Sequence, residues 1–287
     1  MLYKFALAGA TGQIGRLLKR ELGKYGGGVK VLTREDMDVP DGCQHVVNAA
    51  GYTKFNDKVE RYWHDNIRLA LDLVIAAQRV GAQYHQLSSE AVAEYRTDPL
   101  RESLFNPRAH PSMNDYALSK LLVEKTVLSV IKSGHLSIYR CSDVVPSITT
   151  FKTQWRADHW LSIMFAAGQG AFEVRDDFPI WIATVQQMAQ ALAILIAEDQ
   201  VNYGVYHLLG TRVLWSTLYD AASAIDSSAF MGLAKQVRPI IRIDPPLADC
   251  IVQRETEELL KGIGFHWKPL TSNYWEEFSQ QATERML

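Results

Sequence analysis

Gly9-Ala10-Thr11-Gly12-Gln13-Ile14-Gly15 is the stretch on which the reading of this chain turns. It follows the apolar run Tyr3 to Ala8 and precedes Arg16 to Leu22, where Leu17, Leu18 and Leu22 fall at helical spacing. The order is strand, tight glycine turn, helix. Glycine is required where a chain turns tightly, where phosphate must approach the backbone, and where helix packs on strand. The N–H groups that open such a helix, with its dipole behind them, favour an anion such as a pyrophosphate. The glycines are spaced three and three, unlike the standard dinucleotide fingerprint. Context has to decide between a phosphate cradle and a plain structural turn.

The context is an alternation of strands and helices. Gly26-Gly27-Gly28 turns the chain into a strand over Val29 to Leu32, and Pro40-Asp41-Gly42 breaks it again after Val39. His45 to Ala50 is a buried strand ending in Asn48-Ala49-Ala50-Gly51. Asn66 to Val80 has helical spacing and stops at Gly81, a good C-cap. Tyr84 to Leu87 is a strand delivering Ser88-Ser89-Glu90, and Pro99 to Pro111 is a polar loop. Asn114 to Val130 is a long helix capped by Asn114 or Ser112, and Leu136 to Cys141 is the next strand. Such alternation implies a parallel, doubly wound α/β sheet. Beyond Pro146 the pattern loosens. Helices are expected over 155–167, 185–198, 214–225, 255–261 and 274–283, with short strands over 180–183 and 203–208, and the apolar run Ile240 to Ile243 precedes Pro245-Pro246.

The 287 residues are 47% hydrophobic and 22% charged, enough for a large core in one domain with an appendage, or in two. A net charge of −2 gives no general basic field for nucleic acid. Cys43, Cys141 and Cys250 are far apart and read as buried thiols in a reducing compartment. No cluster has metal-ligand spacing, and no apolar run reaches transmembrane length. Met1 runs straight into the first strand, so no signal peptide and a cytoplasmic location are expected.

The chemistry sits on Tyr116-Ala117-Leu118-Ser119-Lys120. Positions i and i+4 share a helix face, so phenol and ammonium are neighbours. A nearby cation favours phenolate, and such a tyrosine donates a proton to a nascent alkoxide or takes one from an alcohol. The competing reading is a solvated Tyr and Lys on a helix face. Ser89 ends a strand at the sheet edge where doubly wound folds bind ligands, and its hydroxyl suits a carbonyl oxygen. Its bland alternative is a strand-end turn pair with Ser88.

Taken together, the glycine turn, Asn48-Ala49-Ala50-Gly51, Ser88-Ser89-Glu90 and Tyr116 with Lys120 resemble the extended short-chain dehydrogenase/reductases in order and approximate spacing. Gly9 to Arg16, Ala49 to Glu60, Asn114-Asp115-Tyr116 with Lys120, Leu121 and Glu124, and Arg140-Cys141-Ser142 look like segments of the dTDP-4-dehydrorhamnose reductase family. The resemblance implies a Rossmann sheet over 1–145 and, over 146–287, mainly a small C-terminal substrate-binding lobe with some segments returning to the sheet. It implies that Gly9, Gly12 and Gly15 form the pyrophosphate turn with Gln13 and Ile14 beside it. Asp38 and Val39 would flank the adenine, and Ala49, Ala50 and Tyr52 would line the nicotinamide side. Ser89 would polarise a ketone, Tyr116 protonate the alkoxide, and Lys120 bind the nicotinamide ribose and tune Tyr116. Asn66 would support the site from a neighbouring helix. The family's usual threonine and aspartate are replaced by Ser89 and Glu90, and Ala93-Glu94-Tyr95 replaces an aromatic-rich continuation. In the family's count only Pro40 to Gln44 separates the third and fourth strands, so a helix there is missing.

NAD sites usually place an acid near the end of the second strand. Here Thr33 stands there, followed by Arg34, which suits a 2′-phosphate and so favours NADPH, with NAD also admitted. The alternative is a surface arginine paired with Glu35 or Asp36. Trp155, Arg156, His159 and Trp160 either clamp a nucleotide or belong to a core, Arg175 to Asp177 is read as a turn at a pocket rim, and His207 as a structural strand residue. The leading expectation is an oxidoreductase of short-chain type. It would reduce a nucleotide-diphosphate 4-keto-6-deoxysugar with NADPH as monomer or homodimer, without nucleic-acid or membrane partners. The alternatives are a nucleotide-sugar epimerase or dehydratase holding NAD, with Glu90 as an added acid/base, and a non-catalytic NADP-binding regulatory subunit.

Overall fold

The computed structural model describes residues 3–52, 59–92, 114–131, 134–145, 172–174, 179–198, 203–214, 216–217, 220, 241–243 and 254–286. The helix expected over 155–167, the Arg175 to Asp177 turn, the Pro99 to Pro111 loop, nearly all of the helix expected over 214–225, and Cys250 lie outside them.

Two compact units arise from one chain. The first comprises Met1–Ser142, Gln186–Leu209 and Leu247–His266. Its six-stranded sheet is built from β1 (Phe5–Ala8), β2 (Val29–Leu32), β3 (His45–Asn48), β4 (Gln83–Ser89), β5 (Leu136–Cys141) and, from beyond residue 200, β9 (Gly204–Leu208). The order is β2-β1-β3-β4-β5-β9 and every pairing is parallel. Parallel crossovers are right-handed. α1 (Gln13–Leu22), which links β1 to β2, and the helices that link β3 to β4 to β5 therefore lie on opposite faces. The latter are α2 (Val59–Tyr62), a π-helical stretch Trp63–Arg68, α3 (Leu69–Val80) and α4 (Asp115–Val130). Ala70, Leu73, Val74 and Ala77 of α3 and Val123 and Val127 of α4 pack on Ala6, Val46, Tyr84, Ile138 and Val205 of the sheet. α3 stops at Gly81, whose φ of 70° is left-handed and whose N–H bonds back to Gln78 O at 3.1 Å. α4 starts where Asn114 Oδ1 accepts from Ala117 N–H at 2.8 Å, deciding the cap in favour of Asn114.

No strand occupies residues 33–44, correcting the expected third strand before Pro40. Thr33 N–H bonds Asp36 O at 2.9 Å, closing a turn directly after β2, and Asp38 is held by Arg79 at 2.9 Å. β2 is thus the sheet edge, and the chain returns straight to β3.

The second unit comprises Asp143–Val185, Gly210–Pro246 and Trp267–Leu287. Within it β6 (Asp143–Val145), β8 (Pro179–Thr184) and β10 (Thr211–Leu214) form a sheet in the order β10-β8-β6, and β7 (Phe172–Val174) pairs with β11 (Ile241–Ile243). Leu214, expected to open a helix, instead ends β10, where Val213 is buried between exposed Arg212 and Leu214 with a strand's period of two. α5 (Val185–Ala197) and α6 (Arg254–Gly262) mostly fall in the first unit, and α7 (Ser272–Met286) in the second.

Polar residues cross the first sheet in its interior. His45 Nδ1 and His85 Nε2 are 3.2 Å apart, and His85 Nδ1 lies 3.0 Å from Tyr139 Oη. Burial, reinforced by His45, holds His85 well below the usual 6.5, and burial beside Arg140 brings His207 to about 3. Both are neutral when folded and charge in the unfolded chain below pH 6.5. Their stabilisation is therefore complete above that pH and falls as pH drops toward the folded values, by up to about 1.4 kcal/mol per unit for each histidine. Urea unfolding should show about 2–3 kcal/mol lost between pH 7.5 and 5.5. His207→Gln, which cannot titrate, should roughly halve that loss; an unchanged slope would mean that His207 does not stay neutral.

Candidate active site

β1 is flanked by β2 on one side and β3 on the other, so the strand order reverses there. Ligands of open α/β sheets bind beyond the carboxyl ends of the strands at such a point. Gly9 leaves β1 with φ 82°, and a Cβ there would lie 2.6 Å from Ala49 O and closer still to Ala50 N. Only glycine lets the two backbones meet. Gly15, in the first turn of α1, is pressed against the Gly9 carbonyl, which a Cβ would overlap. Gly12 differs: it is exposed, and a Cβ would touch only Gly9 O, at 3.3 Å. It caps α1 in extended conformation, and the first helical turn holds no acidic side chain. Gln13 and Ile14, half-buried, follow it. The result is a bare helix N-terminus facing the switch point, a shape and a field that fit a dinucleotide pyrophosphate.

Ala49 and Ala50 continue from β3 in a fixed path. Ala49 N–H bonds Ala8 O at 3.1 Å, and Asn48 Oδ1 accepts from Ala50 N–H at 3.1 Å. Tyr52 is anchored by Asn66, whose Oδ1 accepts from Tyr52 N–H at 2.5 Å while Nδ2 donates to Tyr52 O at 3.2 Å. The same Nδ2 donates to Ser119 Oγ at 3.1 Å, joining this segment to α4. Asn66 lies in the π-helical stretch, a deformation often found at functional sites.

On α4, Tyr116 is half-buried and Lys120 is 6% exposed, its ammonium 5.8 Å from the Tyr116 ring centroid. The ammonium also approaches Gly51, where an added Cβ would lie 3.2 Å from Nζ and 3.2 Å from Asn66 Oδ1. Burial lowers the Lys120 pKa, while Cys141 and Glu124 pull it back up. Ser89 and Cys141 are register partners at the carboxyl ends of β4 and β5. Ser89 Oγ accepts from Ala91 N–H at 3.2 Å, which leaves its own proton to donate. Glu90, 7% exposed, and the Cys141 thiol lie close enough to interact, and burial pushes that thiol up to about 12.

Beneath these groups lies an assembly that reading the sequence did not find. Arg140 donates through Nε to Glu124 Oε1 at 3.0 Å and through Nη2 to Oε2 at 2.7 Å, both side chains essentially fully buried. Ser88 donates to Glu124 Oε1 at 2.6 Å, and His207 Nε2 lies 3.4 Å from Arg140 Nη1. Glu124 and Arg140 stand in separate family-like segments, and their separation in sequence gives no sign of the pairing; nor does the Asn48-Ala49-Ala50-Gly51 motif show that Gly51 borders the Lys120 ammonium.

The residues assigned to the adenine end fall differently. Thr33 Oγ1 accepts from Asp36 N–H at 3.1 Å, and Arg34 is exposed and paired with Asp65 at 3.0 Å, not with Glu35 or Asp36. Asp38 is exposed and paired with Arg79. Val39 is buried in the core cluster, so its side chain offers a ligand no surface. Among the described residues no three His, Cys, Asp or Glu side chains group as a metal site, and no helix is long and apolar enough to cross a membrane.

Residues 6–146 match the model of the NAD dependent epimerase/dehydratase family. No curated protein matches. Solved structures do. A dTDP-4-dehydrorhamnose reductase from Bacillus anthracis in complex with NADP is 18% identical, with 98% of each chain covered and a TM-score of 0.63. A UDP-glucuronic acid 4-epimerase from Bacillus cereus in complex with NAD is 14% identical, with 99% of each chain covered and a TM-score of 0.68. The terminal R domain from the myxalamid PKS-NRPS pathway is 17% identical over 99% of this chain and 91% of that one, with a TM-score of 0.78. At these identities the likeness is one of fold.

The glycines separate fold from binding. Gly12→Val places a branched side chain at the open mouth of the turn without a backbone collision, so the protein should fold and lose dinucleotide affinity. Gly9→Ala should instead lower the thermal midpoint sharply. Normal NADPH affinity in Gly12→Val, measured by titration, would make the turn purely structural.

Proposed function

From the match of residues 6–146 to the NAD dependent epimerase/dehydratase family we propose that the chain is an NADPH-dependent reductase of a nucleotide-diphosphate 4-keto-6-deoxysugar. The observation that carries the reading is the Tyr116–Lys120 pair: a half-buried phenol with a buried ammonium one turn along the same helix, 5.8 Å from its ring. The dinucleotide would be held by Gly9, Gly12 and Gly15 with Gln13 and Ile14 at its pyrophosphate, by Ala49, Ala50 and Tyr52 at its nicotinamide side, and by Lys120 at the ribose. When bound, a reduced nicotinamide supplies hydride to the keto carbon.

The remaining work falls to the protein. Ser89 donates its hydroxyl proton to the keto oxygen and polarises the carbonyl. Tyr116 transfers its phenolic proton to that oxygen as it becomes an alkoxide. Lys120 stabilises the phenolate that remains, and a dry setting strengthens that effect. Asn66 fixes Tyr52 and Ser119, and with them the distance between the nicotinamide wall and the catalytic helix. The NADP bound to the Bacillus anthracis reductase of similar fold accords with this reading.

A second reading is favoured by Glu90. A buried carboxylate directly after Ser89 is the added acid/base group that a nucleotide-sugar epimerase or dehydratase needs, and such an enzyme retains NAD through purification.

A panel of nucleotide-diphosphate ketosugars followed by NADPH absorbance tests the choice. Tyr116→Phe keeps the ring but removes the acid, so turnover should fall by roughly 10²–10⁴-fold with near-normal NADPH affinity. Lys120→Met should weaken binding and shift the pH profile of the tyrosine upward. Parental rates in Tyr116→Phe would overturn the mechanism. Copurified NAD with no net NADPH oxidation would favour the second reading, and a parent that binds NADP yet turns over nothing would favour a regulatory subunit.

A further inference from the structure

Arg34 has a partner and a counterpart. Asp65 Oδ1 accepts from Arg34 Nη2 at 3.0 Å, and Asp65 Oδ2 accepts from Arg61 Nη2 at 3.2 Å. One carboxylate thus holds two guanidiniums, one from the turn after β2 and one from the helix that follows β3, with one oxygen for each. The carboxylate is the inner member, 22% exposed, against 79% and 48% for Arg34 and Arg61. Arg61 is further fixed by stacking 4.2 Å from the centroid of the Tyr52 ring. Each guanidinium has five N–H donors and gives one to Asp65, so both present spare donors outward.

We propose that Arg61 is a second cation of the dinucleotide site, sharing with Arg34 the 2′-phosphate of a phosphorylated adenosine, and that Asp65 is the positioning residue that holds the two side by side. This rests on the NADPH reading. A phosphate monoester carries more than one negative charge at neutral pH, which a single exposed arginine does not match. Two arginines and one aspartate leave a net charge of one plus, on donors whose planar forks suit phosphate. Among the described residues the opposing groups include Asp65 itself, Glu35, and the exposed Glu60 directly before Arg61 on its helix. Glu35 lies in the same turn as Arg34, and its carboxylate takes hydrogen bonds from its own backbone and from the Thr33 hydroxyl. Asp36 is paired with Lys30 at 3.1 Å, and two helical turns beyond Asp65 the carboxylate of Asp72 is paired with Arg68 at 3.0 Å. Glu35 and Glu60 are therefore the acidic groups whose effect must be outweighed, and the second arginine supplies what Arg34 alone lacks.

The test is a binding titration of the full chain by tryptophan fluorescence with NADPH, NADH and adenosine 2′,5′-bisphosphate, needing no sugar substrate. Arg34→Met and Arg61→Met should each weaken NADPH and the bisphosphate by about 10–100-fold, leave NADH within about threefold, and leave the thermal midpoint unchanged. Arg61→Lys should restore part of the loss. Loss in Arg34→Met with none in Arg61→Met would overturn the role of Arg61 while leaving the NADPH reading intact. Equal losses of NADPH and NADH in Arg61→Met would assign Arg61 to the Tyr52 wall instead. If neither variant distinguishes the two cofactors, the 2′-phosphate site and the NADPH preference fall together; if the parent binds neither dinucleotide, the cofactor reading itself fails.

Discussion

The contact of Gly9 with Ala49 and Ala50 is the constraint on which the first unit depends. It is backbone against backbone, at the two strand ends where the order of the sheet reverses. A side chain at Gly9 would have to push β1 and β3 apart, and with them the start of α1 and the Asn48 to Tyr52 segment. Neighbouring hydrogen bonds turn this proximity into a fixed geometry. Ala49 binds back to Ala8, Asn48 holds Ala50, and Gly12 N–H bonds Gly9 O at 2.9 Å. The floor of the proposed dinucleotide site therefore consists mainly of main chain. That suits a ligand whose pyrophosphate must lie close to N–H groups.

The buried Glu124–Arg140 pair does the corresponding work for side chains. Removing two charges from water is costly, and a buried ion pair is weak support for stability unless its remaining hydrogen bonds are met. Here they are met in part: Ser88 donates to Glu124, and His207 Nε2 lies 3.4 Å from Arg140 Nη1 while its buried Nδ1 has no hydrogen-bond partner among the described residues. What the pair does accomplish is alignment. Glu124 lies one turn beyond Lys120 on α4, Ser88 precedes Ser89 on β4, and Arg140 precedes Cys141 on β5. One charge pair thus ties together the three elements that bring Ser89, Tyr116 and Lys120 to the same end of the sheet. The neutral state of His207 belongs to the same logic, because a third charge beside Arg140 would be repelled.

Most of the first unit was legible in the sequence because its signals are local. Val29–Leu32 and Leu136–Cys141 have the predicted bounds, and Gly81 and Asn114 cap the helices they were expected to cap. The expected third strand before Pro40 is replaced by a turn that Thr33 and Asp36 close between themselves, and Asp38 beyond it is held by Arg79 of α3. Thr211 to Leu214 forms a strand because β8 is there to pair with it, which its own four residues do not announce. At the candidate site the glycine turn and the i, i+4 pair could be read directly. Glu124 with Arg140, and Asp65 with Arg34, could not, since ion pairs between separate elements leave no mark on spacing; Arg61 with Asp65, an i, i+4 pair, carries the same kind of signal as Tyr116 with Lys120. Val39 was placed beside the adenine by resemblance, yet its side chain belongs to the core.

The burial of Lys120 shows why a lysine here differs from one on an open helix face. In water its field at Tyr116 would be screened, and the charge would cost nothing to keep. Enclosed beneath Gly51 and Asn66, the ammonium loses solvation, which disfavours its charged form, and the negative side of Glu124 and the Cys141 thiol act in the opposite direction. The same exclusion of water that makes the charge harder to hold makes it stronger where it acts. Glu124 is spent largely on Arg140, so it restrains the lysine without quenching it. In the proposed mechanism the cation then acts on Tyr116 from across one helical turn, a distance at which an exposed pair would contribute little. In this fold the alignment by Glu124 and Arg140, the enclosure by Gly51 and Asn66, and the proposed tuning of Tyr116 are therefore one arrangement rather than three.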